Sequence, residues 1–430
     1  MPSLSHETPP NSVAESIVKW LTARRLRAQA IVLALCLWGV CAVDFATPSL
    51  FDRSGNLKFQ DFLPVYVSSG MIAQHRTAEL YSPRAIAEAE QRIIPQSTSV
   101  QLPNLYGPQV ALLFVPLSRL PFLPAGLIWV QISLLMYGIC IYLVLKACPR
   151  LTAYSRIVAI AAVGFPPLFH VFVRGQTSAL VLACFTGALY GFRSDRPWLG
   201  GIALGLLMVK PQFLIAIPLI LLLSRSWAPF AALTAAVIAQ LALAWSYFGS
   251  AVMHAYFDSL WHVSRWIGSA ELSLAPIQMH SLRSFWLLLI PLPQAAFLLY
   301  AVSSIAIVVM AAMVWKSSSP IAPRYAAVIL AAVLVNPHLF VYDLLALAPA
   351  LMLIVHWALR NLQRASSSML LALSYLAVLL PLLGPLSRWT HLQLSVPCFV
   401  GLLWVLFKDT SGFALKTQGH KLASGESVVV

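Results

Sequence analysis

The chain has 430 residues, 60% of them hydrophobic and 10% charged, with a mean hydropathy of +0.81. Soluble domains carry about a quarter charged residues, so this composition excludes a soluble globular protein and demands that lipid, or the protein itself, shield most of the backbone. The net charge of +14 does not point to nucleic acid. Its Lys and Arg residues stand singly or in small groups at the ends of apolar runs, as anionic lipid and the positive-inside rule require.

Apolar runs such as 122–145 continue on both faces, which excludes the period-two alternation of a transmembrane barrel and leaves an all-α, polytopic helical protein. Taken in order, the first 27 residues read as a cytoplasmic segment. Lys19, Arg24, Arg25 and Arg27 precede an uncleaved first span at 28–46, with no small-x-small cleavage site after it. A long outer loop, 47–121, follows. Further spans are predicted at 122–145, 157–173, 177–192, 197–209, 212–223, 228–248, 294–315, 324–336, 341–359, 369–386 and 391–407, about twelve in all. This arrangement places Lys146, Arg193, Arg225, Lys316 and Arg360 on the inner side, with a polar, mobile cytoplasmic tail over 408–430. The six cysteines lie in or beside apolar runs without metal-binding spacing and read as small core hydrophobes.

The outer loop has its own order. Residues 62–74 form a moderately apolar segment expected to lie in the membrane interface. Ser82-Pro83 offers an N-cap and a first-turn proline for a second interfacial helix, with Ile86, Ala89, Ile93 and Ile94 on its apolar face and Pro95 as its stop. The stretch 106–120, broken by Pro108 and Pro116, is expected to dip in from the outer side without crossing. Between 197–209 and 212–223, two short apolar pieces meet at Lys210-Pro211-Gln212. Each is about 20 Å long against a hydrocarbon core of about 30 Å, so this junction is expected to face a polar chamber. A second outer stretch, 249–293, mixes Trp261, His262, Arg265, Trp266, Arg283 and Trp286 in a manner suited to headgroup depth or to an ordinary aromatic belt.

Asp61, flanked by Phe59, Phe62 and Leu63, is the first candidate for chemistry, since an ionised carboxylate beside a membrane needs water, a cation or a role. A solvated loop carboxylate or a helix cap is the plain alternative, and Asp44 is its rival as base. Arg174-Gly175-Gln176 joins two runs where a guanidinium could hold phosphate and glycine could admit a close backbone. An interfacial arginine in a short loop is the plain alternative. Lys210, between short apolar helices, is costly unless it meets an anion. Asn336-Pro337-His338 with Tyr342-Asp343 marks a further outer junction, where an imidazole could orient a hydroxyl or simply pack.

Asp61-Phe62, Tyr66, Leu80-Tyr81-Ser82-Pro83, Tyr106-Gly107-Pro108, Gly175-Gln176, Lys210-Pro211-Gln212 and His338 with Tyr342-Asp343 together resemble the motif series of glycosyltransferase family 87. These are GT-C membrane glycosyltransferases that include polyprenol-phosphate-mannose-dependent mannosyltransferases of actinobacterial glycolipid synthesis. The likeness runs over 28–407. It implies one GT-C transmembrane domain with a periplasm-facing cavity in the inner or plasma membrane, and a polyprenyl-phosphate sugar donor whose hexose, mannose for instance, passes to a lipid or glycan acceptor. It also implies Asp61 and His338 as catalytic residues and no metal or other cofactor. Lys210, Arg174 and Gln176 would hold the donor phosphate, and Tyr66, Tyr81, Tyr106, Gln212, Asn336, Tyr342 and Asp343 would line the substrate cavity. The chain departs from the pattern at His75-Arg76-Thr77-Ala78-Glu79, where relatives often have glycine, and at Thr177-Ser178 after Gln176, which leaves sugar and acceptor open. A transporter or lipid flippase is the competing class, against which the lack of an internal repeat counts. A lipid-linked glycan polymerase or ligase with a pyrophosphate donor is the third.

Overall fold

The structure is a computed structural model that describes residues 12–95, 104–262 and 277–423, with side chains described as far as Ser411. A short helix α1 (Val13–Trp20), capped by Ser12, precedes the first long apolar helix, α2 (Ala23–Phe45). The outer loop carries a 3-10 turn at Gln60–Phe62, then α3 (Leu63–Ala73), α4 (Pro83–Ile93) and α5 (Pro108–Leu112). Next come α6 (Phe122–Ala147), the single turn α7 (Pro149–Thr152), α8 (Ser155–Val163), α9 (Pro166–Arg174) and α10 (Ser178–Arg193). The short pieces follow as α11 (Pro197–Gly205) with a 3-10 extension to Val209, and a 3-10 turn Pro211–Leu214 leading to α12 (Ile217–Leu223), before the long α13 (Trp227–Trp261). The last third holds α14 (Leu282–Leu289), α15 (Pro293–Lys316) and α16 (Ile321–Val335), then a 3-10 turn Val341–Ala346 entering α17 (Leu347–Arg360). It ends with α18 (Ala365–Leu379), α19 (Ser387–Thr390) and α20 (Ser395–Ala423).

The protein is a helical membrane protein, and each apolar run predicted to span lies mostly in helix, with 391–394 outside it. Proline occupies the first turn of α9, α11 and α15, where its missing N–H removes no helical bond. The expected count of twelve crossings is not reached by length. Among the described residues six helices are long and apolar enough to cross, and a seventh if α8 and α9, bent by 41° before Pro166, make one span. Residues 178–193, 197–209, 211–223 and 321–335 are apolar but hold only 13 to 16 residues each, about 20–24 Å of helix against a core of about 30 Å.

Burial varies among the short helices: α8 has no buried residue, whereas α16 is enclosed. α16 has thirteen of its fifteen residues buried, apolar all round as a helix enclosed by other helices must be. α2, α13 and α15 instead present Leu35, Leu243 and Phe297 outward, each more than 60% exposed, as a lipid-facing surface would. α13 turns sharply at Gly249, whose φ of +81° suits glycine, so the predicted break after 248 is real.

In the outer loop, α4 begins and ends as expected, with Ser82 accepting from the Ala85 N–H and the helix closing before Pro95. α3 differs from the expected interfacial helix. Leu63, Val65, Val67, Ser69, Met71 and Ile72 are all buried, on every side of the helix, so protein rather than a membrane surface covers it. The stretch 106–120 forms only the five-residue α5 and a 3-10 turn, too short to cross. α20 continues to Ala423, so the backbone of 408–423 is helical rather than a loose tail, while 424–430 lie outside the described residues. Arg265 and Trp266 also lie outside them.

Candidate active site

The placement of Asp61 begins with backbone shape. Phe59 adopts a left-handed conformation, φ +57°, and its N–H bonds to the Val173 carbonyl, which turns Gln60 and Asp61 toward the end of α9. Gly175 closes that helix with φ +69°. A Cβ there would sit 2.9 Å from the Phe59 Cβ and 3.0 Å from the Phe62 Cβ, so only glycine lets the two segments touch. The close approach expected of this glycine is therefore to the Asp61 turn, not to a phosphate. Trp129 of α6 fixes the Gly175 carbonyl through its indole N–H at 3.0 Å.

Around this contact a continuous polar network forms. Gln176 Nε2 donates to Asp61 Oδ2 at 2.8 Å, and Lys210 Nζ donates to Gln176 Oε1 at 2.9 Å. The Lys210 ammonium also donates to Ser178 Oγ at 3.1 Å and to Asp343 Oδ1 at 2.6 Å, while Ser178 Oγ donates to the same Asp343 oxygen at 2.8 Å. Tyr106 OH lies 3.1 Å from Thr177 Oγ1 and donates, at 3.5 Å, to Gln176 Oε1. Tyr342 lies beneath the ammonium, 5.1 Å from ring centre to Nζ. Residues from the outer loop, the α9–α10 junction, the Lys210-Pro211 break and the turn after α16 thus meet in one place.

The anion that Lys210 requires is the chain's own Asp343. Lys210 is 5% exposed and Asp343 1%, so each charge depends on the other for its burial. All three ammonium protons have protein acceptors, which leaves no donor for the donor phosphate expected there. Arg174 is different. It is half-buried and donates to Gln60 Oε1 at 2.8 Å, and no carboxylate lies within ion-pair distance among the described residues. Burial raises the Asp61 carboxyl above the usual carboxylate range, opposed by the Arg174 charge, the Gln176 hydrogen bond and Lys210. Asp61 Oδ1 accepts no hydrogen bond among the described residues, and the residue is only partly buried.

His338 is half-buried beside the cluster, within electrostatic reach of Asp343 and Lys210. Its N–H bonds to Asn336 Oδ1, its ring meets Phe340 edge-on, and among the described residues no hydrogen bond joins that ring to Asp61 or Lys210. Burial lowers its pKa despite the opposing pull of Asp343. Asn336 Nδ2 is buried without an acceptor among the described residues. Gln212 is half-buried and forms no hydrogen bond to those residues. Two predicted cavity residues direct their hydroxyl protons to backbone carbonyls. Tyr66 OH donates to the Leu120 carbonyl with its ring against Phe62 and Phe122, and Tyr81 OH donates to the Tyr106 carbonyl. Asp44 is held in its own turn by the Ser54 N–H and hydroxyl, apart from the cluster. Sequence reasoning missed Ser178 and Gln60, whose types carry no signal before the partner segments are known. Among the described residues no three His, Cys, Asp or Glu side chains gather to hold a metal ion.

These features define a helical membrane protein with a charged, hydrogen-bonded cluster at one end of its helices. The profile of glycosyltransferase family 87 matches residues 104–341, just over half of the chain, and the chain belongs to that family. The match includes Tyr106, Gln176, Lys210 and His338 but not Asp61 or Asp343. Over 215 residues the chain is 28% identical to an alpha-(1->3)-arabinofuranosyltransferase of Mycobacterium tuberculosis, in each of two strains. That alignment covers 49% of this chain and 46% of the relative, so the chain spans about half the length of the curated relatives it matches. No solved structure matches it significantly.

Proposed function

We propose that the protein is a membrane glycosyltransferase that moves a sugar from a polyprenyl-phosphate donor to a hydroxyl of a lipid or glycan acceptor, in one inverting displacement. The observation that carries this reading is Asp61, held at one oxygen by Gln176 and open at the other, beside the Arg174 guanidinium. The acceptor oxygen attacks the anomeric carbon and the bond from that carbon to the phosphate oxygen breaks. The acceptor proton passes to Asp61 Oδ1, and polyprenyl phosphate leaves from the opposite face. Arg174, which forms no direct ion pair with a carboxylate among the described residues, stabilises the departing phosphate. His338, whose imidazole burial favours as neutral, orients a substrate hydroxyl.

The site is assigned to the outer, periplasmic face of the inner or plasma membrane, because its members come from the junctions that the Lys and Arg distribution leaves outside. The sugar was expected to be a hexose. The relatives' name brings an arabinofuranose into the same assay, while the family favours transfer over transport or flipping.

The test is transfer of radiolabelled mannose or arabinofuranose from polyprenyl phosphate in proteoliposomes, comparing wild type with Asp61→Asn. Loss of general-base catalysis costs about 10²–10⁴-fold, with insertion and helicity unchanged. Wild-type activity should rise with pH through an acid limb above the ordinary range of an aspartate carboxyl, because an ionised base is required and burial raises Asp61. Full transfer by the Asn variant would overturn the assignment.

A further inference from the structure

We infer that Lys210 and Gln176 are positioning residues behind Asp61: the ammonium, fixed by Asp343, holds the Gln176 amide in the one orientation that donates to Asp61 Oδ2 and leaves Oδ1 free to take a proton. The inference rests on the reading of Asp61 as base, and it gives Lys210 a role other than binding phosphate.

A glutamine amide has nearly the same shape either way round, so its neighbours decide which end is which. Gln176 Oε1 faces the Lys210 ammonium at 2.9 Å, the Thr177 N–H at 3.2 Å and, further off, the Tyr106 hydroxyl at 3.5 Å. The two nearer groups cannot accept a hydrogen bond, and they decide the orientation. Reversing the amide would set N–H against those donors and a carbonyl oxygen against the Asp61 carboxylate. Both contacts would change from attraction to repulsion, in a site where the buried partners have no water to turn to. The orientation therefore depends on the charge of Lys210, and the ammonium depends on Asp343 and Ser178 at 2.6 and 3.1 Å.

The consequence for chemistry is directional. A hydrogen bond to an ionised carboxylate favours the ionised form, and it occupies one oxygen while leaving the lone pairs of the other for the substrate. Removing the amide, or the cation that aligns it, should raise the pKa of Asp61 and let the carboxylate swing. Arg174, Lys210, Asp343, Tyr106 and Tyr342 are the other charged or titratable groups that face Asp61. Substitution at Gln176 changes none of these residues, although it takes an acceptor from Lys210 and Tyr106.

Gln176→Leu and Lys210→Met are compared with wild type for kcat, donor KM and the pH–rate profile, using radiolabelled polyprenyl-phosphate sugar. Both should lower kcat about 10–100-fold and move the acid limb up by about one pH unit, with donor KM within about twofold. Gln176→Glu, which sets a second carboxyl against Asp61, should move the limb further. An unmoved limb in Gln176→Leu overturns the relay. So does a Lys210→Met enzyme whose donor KM rises while kcat and the limb stay fixed, since that marks a phosphate ligand. Lys210→Met strands Asp343 and risks misfolding, in which case Gln176→Leu, with the ion pair intact, decides. A fully active Asp61→Asn enzyme would refute the base itself, an outcome separate from an inactive one whose relay variants leave the limb unmoved.

Discussion

At the scale of single residues, the cluster depends on positions where a small group or a special conformation admits a close contact. Gly175 is the clearest, since its missing Cβ and positive φ bring the Asp61 turn against the α9–α10 junction. Gly175→Ala adds a methyl within 3.0 Å of two phenylalanine Cβ atoms at a backbone angle that L-residues avoid. Activity should fall at least about tenfold, because sub-ångström misplacement of reacting groups is costly. The variant should insert and solubilise normally by size-exclusion chromatography. Asp61 and Lys210 stand out in the sequence because charge in an apolar context is conspicuous. Ser178 and Gln60 do not, because serine and glutamine are common in loops and only the facing segments give their hydroxyl and amide a task.

At the scale of elements, helices were legible and their surroundings were not. Apolar runs, first-turn prolines and the Ser82 cap mark the helices, since these are local effects. Whether lipid or protein covers a helix is not local. α3 and α16 are both enclosed by protein, although one was expected at the interface and the other as an ordinary span. Leu330, fully buried in the middle of α16, contacts packed side chains on all sides. Leu330→Ala should cost roughly 2 kcal/mol, chiefly through the cavity, since lipid would receive an exposed leucine about as readily. The measurement is a reversible denaturation curve in mixed micelles, compared with Leu35→Ala on the lipid-facing side of α2, which should change little.

At the scale of the whole molecule, the junctions separate into two groups. One forms the site. The other joins residues predicted to lie inside. Arg193 donates to the Ala147 carbonyl, the Trp315 indole to Ser226, and Arg364 pairs with Asp409 at 3.0 Å. Successive apolar helices run between these two groups, short ones included. The Lys and Arg distribution predicts that the short segments complete the crossings, with local thinning of the hydrocarbon around them. Cysteines introduced at Ser54 and at Asp195, in a variant lacking Cys36, test this in intact cells with a membrane-impermeant maleimide. The first should react from outside and the second only after permeabilisation. Reaction of both from outside would show that fewer segments cross.

The sequence by itself determined that this is a helical membrane protein, where its apolar runs lie, and which few charges sit awkwardly among them. Those properties follow from composition and from the short-range periodicity of the backbone. Only the tertiary structure decided that Lys210 meets Asp343, that Gln176 turns toward Asp61, and that Tyr66 and Tyr81 bond to backbone carbonyls. Such pairings join residues from 25 to more than 130 positions apart. The choice among possible partners is made by how the helices pack, because a buried hydrogen bond is worth most to the donor and acceptor that packing has already brought within reach.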